Sequence, residues 1–221
     1  MASWMVHLRV ADALLDSLPN LTPTEFIVGN IAPDSGVPNA DWSAFSPPTS
    51  VSHFKTAGKK ADPGAFAAKY LTRRQDYSPE QFSFYLGYLT HLLTDVLWSE
   101  QIARPALDRA GKADAPDREE YIWKLKKDWY DLDFKYLRDH PDFRAFRLYQ
   151  EAVDFRNRYM EEFSPDAFDN RRRYITGFYL AGREDLDREY PYLTEAEMDG
   201  FVDRAIDRIL DILHTYYSIN L

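Results

Sequence analysis

FSFYLGYLTHLLTDVLW, residues 82–98, is apolar or aromatic at most positions, yet it holds His91 and Asp95 four residues apart. Such a composition is typical of a buried helix. On a helix, residues four apart lie side by side, with Cβ atoms about 6 Å apart. An ionised carboxylate in apolar surroundings is costly unless it is paired or bound to a metal. The pair therefore indicates either a buried His–Asp hydrogen bond or two ligands of one metal.

The composition fits a packed protein without cysteine chemistry. The chain has 221 residues, of which 45% are hydrophobic and 15% aromatic, so it can bury a sizeable core and intrinsic disorder is excluded. It has no cysteine, which excludes disulfides and thiolate metal sites. Any metal must therefore be held by His, Asp and Glu. The absence of cysteine also suits a reducing compartment, and we expect a cytoplasmic protein.

Charge and hydropathy argue against nucleic acid and membrane partners. The formal net charge of −9 disfavours a large nucleic-acid footprint, which needs clustered Lys and Arg. The most apolar window, residues 86–98, is shorter than the roughly twenty residues of a membrane span, so we expect no transmembrane segment. His7, Arg9 and Asp12 interrupt the N-terminal apolar run, which is not the pattern of a signal peptide. No feature of the sequence specifies the oligomeric state.

Helical periodicity dominates the rest of the chain, and no β-alternation is evident. A first helix is predicted over residues 4–18, and a short second helix ends at Gly29 or Asn30. Residues 31–62 are rich in proline, lack periodicity and predict a long ordered loop. Further helices are predicted at about 63–73, 79–109, 117–138, 142–162, 165–181 and 194–217. The sequence therefore predicts an all-α fold, with residues 1–221 as a single metal-binding domain.

The chain has five histidines, and their order with two aspartates is informative. His7 lies on the apolar stripe of the first helix, Asp34 near the start of the predicted loop and His53 near its end. Taken alone, each has an ordinary explanation, as a core histidine, a turn aspartate and a surface histidine. Together with His91 and Asp95 they give the order His, Asp, His, then HxxxD.

This order is carried by HLRVADALL, FIVGNIAPDSG, SHF and YLGYLTHLLTD, which span residues 7–95. The arrangement resembles the zinc-dependent phospholipase C family, whose relatives include single-strand nucleases on the same all-helical scaffold. After residue 110 the chain is similar to the family only in being helical. The resemblance implies the phospholipase C / single-strand nuclease fold and the hydrolysis of phosphoric esters.

Carried over by position, the resemblance implies that one metal is bound by Asp34, His53, His91 and Asp95. It implies that His7 binds a second metal, that the Asp95 carboxylate bridges the two, and that Asp34 contacts the attacking water as ligand and general base. Two imidazoles and two carboxylates suit Zn²⁺, although Fe and Mn also accept these ligands. We expect one or two zinc ions.

The family takes a third site from two histidines and a glutamate after the HxxxD helix, but no histidine lies between Asp95 and His140 here. Glu100 follows Asp95 by about a turn and a half of helix. Asp128 and Asp131 share a helix face by their spacing. These three carboxylates are therefore possible additional metal or substrate contacts. Asp128 and Asp131 equally suit an acidic, solvated face.

Two functions fit this pattern. The first is a metal-dependent hydrolase of phosphoric esters, a phospholipase C-like phosphodiesterase acting on a phospholipid headgroup or a small phosphoester. The alternative is a non-catalytic helical module in which a structural zinc, closed by four protein ligands, supports a partner-binding surface. An open coordination position distinguishes the enzyme from the module. A phosphohydrolase of the HD type needs an adjacent His-Asp pair, and the sequence has none.

Overall fold

The computed structural model describes residues 1–41, 43–55, 60–112 and 118–217. The predicted all-α class is confirmed. The α-helices are α1 (Trp4–Ser17), α2 (Pro23–Ile31), α3 (Thr49–Ser52), α4 (Pro63–Tyr70), α5 (Pro79–Trp98), α6 (Arg104–Lys112), α7 (Arg118–Asp139), α8 (Arg144–Glu151), α9 (Ala167–Leu180) and α10 (Glu195–Tyr217). Two short antiparallel strands, β1 (Val37–Pro38) and β2 (Phe45–Ser46), were not predicted because two residues are too few to show alternation.

The helix α5 is buried along most of its length, as its composition predicts. The Ser78 side chain caps it by accepting a hydrogen bond from the Gln81 backbone N–H. The helix packs closely against α2 because glycines lie at the contact. A Cβ on Gly87 would lie 2.1 Å from the Phe26 carbonyl oxygen, and one on Gly29 would lie 2.2 Å from the Phe84 carbonyl oxygen.

Gly29 therefore lies inside α2 and does not end it. The helix continues to Ile31 and passes directly into a 3₁₀ turn, Ala32–Asp34. Sequence reasoning treated Gly29 as a helix terminator because glycine often occupies that position. Here the absence of a side chain serves helix packing.

The segment predicted as a long loop, residues 31–62, contains short hydrogen-bonded elements over its described part. The 3₁₀ turn is followed by β1, β2 and α3, and the backbone N–H of His53 donates to the Thr49 carbonyl at the end of α3. The residues between the elements form turns, such as the bond from Asn39 N–H to the Ala44 carbonyl. The described part of this segment thus forms ordered short elements joined by turns, rather than one irregular loop.

The helix predicted at 79–109 is interrupted. A π-helical segment, Ser99–Ala103, separates α5 from α6. Pro105 follows it, and proline has no N–H for the carbonyl four residues earlier and clashes with it in a regular helix. A π segment accommodates this defect. The break predicted beyond residue 109, and the predicted start of the next helix at 117, lie partly outside the described residues, and α7 is described from Arg118.

The helix predicted at 142–162 is wrong beyond residue 151. The α8 helix ends at Glu151, and Asp154 has a positive φ of 57°. The Asn157 side chain accepts from the Tyr159 and Met160 N–H groups and donates to the Met160 carbonyl. These local bonds replace the helical ones, a competition typical of Asn.

Buried apolar side chains form one cluster that extends from Met5 on α1 to Leu213 on α10. This continuity supports the single domain of residues 1–221, which stays a prediction. In the part of the chain that the structure describes, no helix has both the length and the apolar character needed to cross a bilayer.

Candidate metal centre

The five predicted metal ligands come together in the fold although they are far apart in sequence. His7 lies on α1, Asp34 ends the 3₁₀ turn, His53 follows α3, and His91 and Asp95 lie on α5. The three histidines are fully buried, Asp95 is 5% exposed and the Asp34 side chain is 10% exposed. Ligand atoms of two overlapping groups lie within 4.8 Å of one another, His7 with His91 and Asp95, and Asp34 with His53 and His91.

Four side-chain atoms converge at the centre of this cluster: Asp34 Oδ1, His53 Nε2, His91 Nε2 and Asp95 Oδ2. The two imidazole nitrogens lie 3.4 Å apart, and each carboxylate oxygen lies 3.4 Å to 4.0 Å from both of them. Ligands of a tetrahedral zinc, with bonds of about 2.0–2.1 Å, lie about 3.3 Å apart. Each carboxylate oxygen therefore has nearly the spacing from both imidazoles that a shared tetrahedral ion requires.

The other oxygen of Asp95 faces a second position. His7 Nε2 lies 3.5 Å from Asp95 Oδ1, and the Ala2 backbone nitrogen donates to the same oxygen at 2.8 Å. The His7 ring stacks on His91, with centroids 3.7 Å apart and planes 5° from parallel. One Asp95 oxygen thus faces His53 and His91 while the other faces His7, the arrangement that a bridging carboxylate requires.

Backbone and hydroxyl partners orient the imidazoles. His91 Nδ1 lies 2.7 Å from the Asn30 carbonyl oxygen, which only accepts, so Nδ1 carries the proton and Nε2 presents its lone pair to the cluster. His53 Nδ1 lies 2.9 Å from the Ser52 hydroxyl. Burial, together with the nearby His7, lowers the pKa of His91 to about 3, which keeps this ring neutral. Such second partners are typical of metal-binding histidines.

The two carboxylates are ionised in this environment. Burial raises the pKa of Asp34, but a hydrogen bond from His53 and the proximity of His91 outweigh it, so the pKa lies below its usual value. The pKa of Asp95 is also lowered, because contacts with His7 and His91 exceed the effect of burial. The Trp4 indole Nε1–H donates to Asp34 Oδ2 at 2.9 Å and leaves Oδ1 facing the histidines.

The residues present fit zinc. Both ring nitrogens of His7 are buried and have no hydrogen-bond partner among the described residues, which is costly for a polar group unless another ligand satisfies it. The cluster combines three imidazoles with two ionised carboxylates, and neutral imidazole and carboxylate are zinc ligands. A simple His91–Asp95 hydrogen bond does not describe the site, because their closest atoms are 3.7 Å apart and His91 donates elsewhere.

The structure places the three possible additional contacts differently. Glu100 is exposed and lines a small cavity of about 150 Å³ that also reaches Asp95. Asp128 and Asp131 are buried, but both pair with Arg188 at 2.7 Å, and Asp131 also pairs with Arg183. They form neither a solvated acidic face nor, among the described residues, part of the two ligand groups.

A cavity of about 900 Å³ opens onto the cluster at Asp34. Its wall is mainly apolar, and its aromatic side chains include Trp4, Phe45, Trp129, Tyr130, Tyr174 and Phe178. Arg171 and Arg183 add positive charge to the same wall. The cavity can therefore accept a ligand that has both an anionic group and an apolar body.

Sequence reasoning missed the groups that orient the ligands. Trp4 holds Asp34, the Asn30 carbonyl holds His91 and the Ser52 hydroxyl contacts His53. Asn30 and Ser52 lie within the motifs FIVGNIAPDSG and SHF, so their closeness in sequence to Asp34 and His53 was the signal that could have identified them. The contact between the Asn30 carbonyl and His91 depends on how α2 packs on α5, and this packing cannot be read from residue types.

Comparison with curated proteins gave no significant match, and comparison with solved structures gave none either. The family model described as zinc dependent phospholipase C matches residues 6–98, which include all five clustered side chains. Over residues 6–98 the chain thus matches the zinc dependent phospholipase C family, and the resemblance predicted from the sequence is confirmed.

Proposed function

We propose that the protein is a zinc-dependent hydrolase of phosphoric esters with phosphodiesterase activity. The observation that carries the proposal is the convergence of Asp34, His53, His91 and Asp95, with His7 beside them, next to a cavity that Asp34 lines. The family match supports zinc as the ion and hydrolysis as the reaction class. The metal number, one or two ions, is part of the proposal.

In this proposal four ligands hold one ion, and His7 with the second Asp95 oxygen holds another. Bound zinc supplies Lewis acidity toward a phosphoryl oxygen and lowers the pKa of water. Asp34 is the ligand that also lines the cavity, so its carboxylate meets the substrate side of the site. Trp4 fixes the Asp34 carboxylate, which we assign as the base that holds the proton of the attacking water.

The cavity supports a substrate class. Its aromatic wall suits the apolar part of a phospholipid, and its arginines suit the phosphate. A phospholipid and a small soluble phosphodiester both present a phosphodiester group to the site. The cytoplasmic location expected from the lack of cysteine stays a prediction.

A structural zinc in a non-catalytic module is the second candidate, and one observation favours it. Asp34, His53, His91 and Asp95 supply the four ligands of a closed tetrahedral site, and each carboxylate oxygen lies 3.4–4.0 Å from both imidazole nitrogens. Cobalt substitution distinguishes the two candidates. Weak visible absorption typical of five coordination indicates an open position, and strong tetrahedral absorption that phosphate does not change indicates a closed one.

The hydrolysis of bis(4-nitrophenyl) phosphate by the zinc-loaded protein tests the enzyme. The Asp34→Asn variant keeps an oxygen and the acceptor for Trp4 but loses the charge, and we expect kcat to fall by about a hundredfold or more. Asp203→Asn, on the exposed side of α10, is the control and should retain full activity. Full activity in Asp34→Asn, or no activity in the zinc-loaded wild type, would refute the enzymatic proposal.

A further inference from the structure

Arg171 is a buried cation that has no carboxylate partner among the residues that the structure describes. It lies on α9, is 7% exposed and lines the large cavity together with Asp34. Its Nη2 donates to the Gly36 carbonyl at 2.8 Å. Within the described part of the chain, no Asp or Glu side chain forms an ion pair with it, in contrast to its neighbour Arg172.

The other arginines near the cavity and core show how this chain treats buried positive charge. Arg172, 8% exposed, pairs with Asp169 at 2.8 Å. Arg183, in the same cavity, pairs with Asp131 at 2.5 Å. Desolvating a guanidinium is costly unless an anion compensates it. Of the two arginines that line the cavity, Arg171 is therefore the one that no carboxylate of the described residues compensates.

Aromatic side chains hold the Arg171 guanidinium in place. Its Cζ lies 5.9 Å from the Trp4 ring centroid and 5.4 Å from that of Tyr174. The Trp4 indole donates to Asp34, so one side chain contacts both the cation and the carboxylate at the metal cluster. The guanidinium is thus positioned before any ligand binds and costs little entropy to order.

We propose that Arg171 is a substrate-binding residue that holds an anionic phosphoryl oxygen in the cavity beside the metal cluster. The planar guanidinium suits a phosphate because it offers paired N–H donors. This assignment rests on the proposed function for the identity of the substrate. The binding of the anion does not rest on that function, because a phosphate group can bind Arg171 whether or not the protein hydrolyses phosphoric esters.

The test measures binding and catalysis separately. Isothermal titration calorimetry with inorganic phosphate is carried out on the wild type, Arg171→Met and Arg173→Met, each zinc-loaded and EDTA-treated. Arg173 lies on the same helix, is exposed and pairs with Asp169, which makes it a matched control. We expect Arg171→Met to bind phosphate about ten- to a hundredfold more weakly than the wild type, because a charged hydrogen bond is lost. Arg173→Met should match the wild type, and zinc content should be equal in all three.

Kinetics then identify the source of the phosphate. Arg171→Met should raise KM by about tenfold or more for bis(4-nitrophenyl) phosphate and for a short-chain phospholipid, with a smaller change in kcat. An effect on the lipid alone assigns the residue to the lipid headgroup, and an effect on the soluble ester alone assigns it to soluble substrates. If neither KM nor phosphate affinity changes, the proposal is refuted.

Two outcomes separate this proposal from the proposed function. If the wild type hydrolyses no substrate but binds phosphate, and Arg171→Met binds phosphate more weakly, the enzymatic proposal is refuted and the anion site is supported. An active wild type in which the substitution changes neither phosphate affinity nor KM refutes the anion site alone. If Arg171→Met does not fold, Arg171→Gln, which retains a donor toward the Gly36 carbonyl without the charge, replaces it with the same expected loss.

Discussion

At the scale of single residues, the cluster depends on side chains that touch its ligands. Trp4 is the clearest, because its indole N–H is bonded to Asp34 while its ring contacts Arg171. Asp34 has two oxygens, and the indole occupies one of them. This leaves one orientation in which the other oxygen faces His53 and His91.

Replacing Trp4 by Phe removes the N–H and retains a ring. We expect zinc affinity to fall by about ten- to a hundredfold, the usual effect of losing a group that orients a ligand. Competition with a chromophoric chelator measures it. Trp123→Phe, at a position 60% exposed, is the control and should leave zinc affinity unchanged. Equal affinities in Trp4→Phe and the wild type would contradict the orienting role.

Asp133 predicts a pH effect outside the metal cluster. It accepts hydrogen bonds from the Ser3 and Tyr179 hydroxyls, each at 2.7 Å. Burial raises its pKa to about 7, against the lowering effect of these bonds and of Arg9 and Arg183. Between the ordinary value of 3.8 and about 7, the folded state keeps a proton that the unfolded state has lost. Its contribution therefore lowers stability as pH rises through this range.

Asp133→Asn removes this titration. The free energy of unfolding of the variant, relative to the wild type, should increase from pH 4 to pH 8 by on the order of 4 kcal/mol. Urea denaturation of both EDTA-treated proteins at several pH values measures the difference, and effects of other groups cancel. A difference that is constant with pH would show that Asp133 titrates normally.

At the scale of elements, the contact between α2 and α5 positions the cluster. The two glycines at the contact let the Asn30 carbonyl reach His91 Nδ1. An added methyl on Gly87 would meet backbone atoms of α2, including the Asn30 nitrogen at 2.8 Å, and backbone cannot rotate away.

Gly87→Ala should lower the free energy of unfolding by about 1–3 kcal/mol through overpacking and should also weaken zinc binding, because α2 moves away from His91. Gly177→Ala is the matched control, since a Cβ there meets nothing within 4 Å and alanine favours the helix. Thermal unfolding with and without zinc compares the two. Equal stability of both variants would contradict the close-packing role of Gly87.

At the scale of the whole molecule, the cluster joins α1, the 3₁₀ turn, the end of α3 and α5. A ligand that binds only the folded state stabilises it by mass action. Removing zinc with EDTA should therefore lower the midpoint of thermal unfolding, and adding zinc back should restore it. A midpoint that is insensitive to EDTA in protein shown to contain zinc would contradict a cluster that ties these elements together.

The sequence predicted the helical class because that class depends on residue type and spacing. The apolar run around His91 and Asp95 predicted the buried α5, whereas the grouping of His7, Asp34 and His53 with them was implied by the resemblance to the zinc-dependent phospholipase C family. The sequence did not reveal Arg171, whose neighbours Trp4 and Gly36 lie far away in the chain. The helix ends at Glu151 and Trp98 were missed because helical periodicity reports neither the local hydrogen bonds of Asn157 nor the missing N–H of Pro105.

We infer that His91 and Asp95 are buried together because they bind a metal. Inductively coupled plasma mass spectrometry of the purified wild type and of Asp95→Asn tests it most directly. We predict one to two zinc ions per chain in the wild type and a large loss in Asp95→Asn, with helicity by circular dichroism unchanged. A wild type that contains no metal and takes up no zinc on reconstitution would contradict the account.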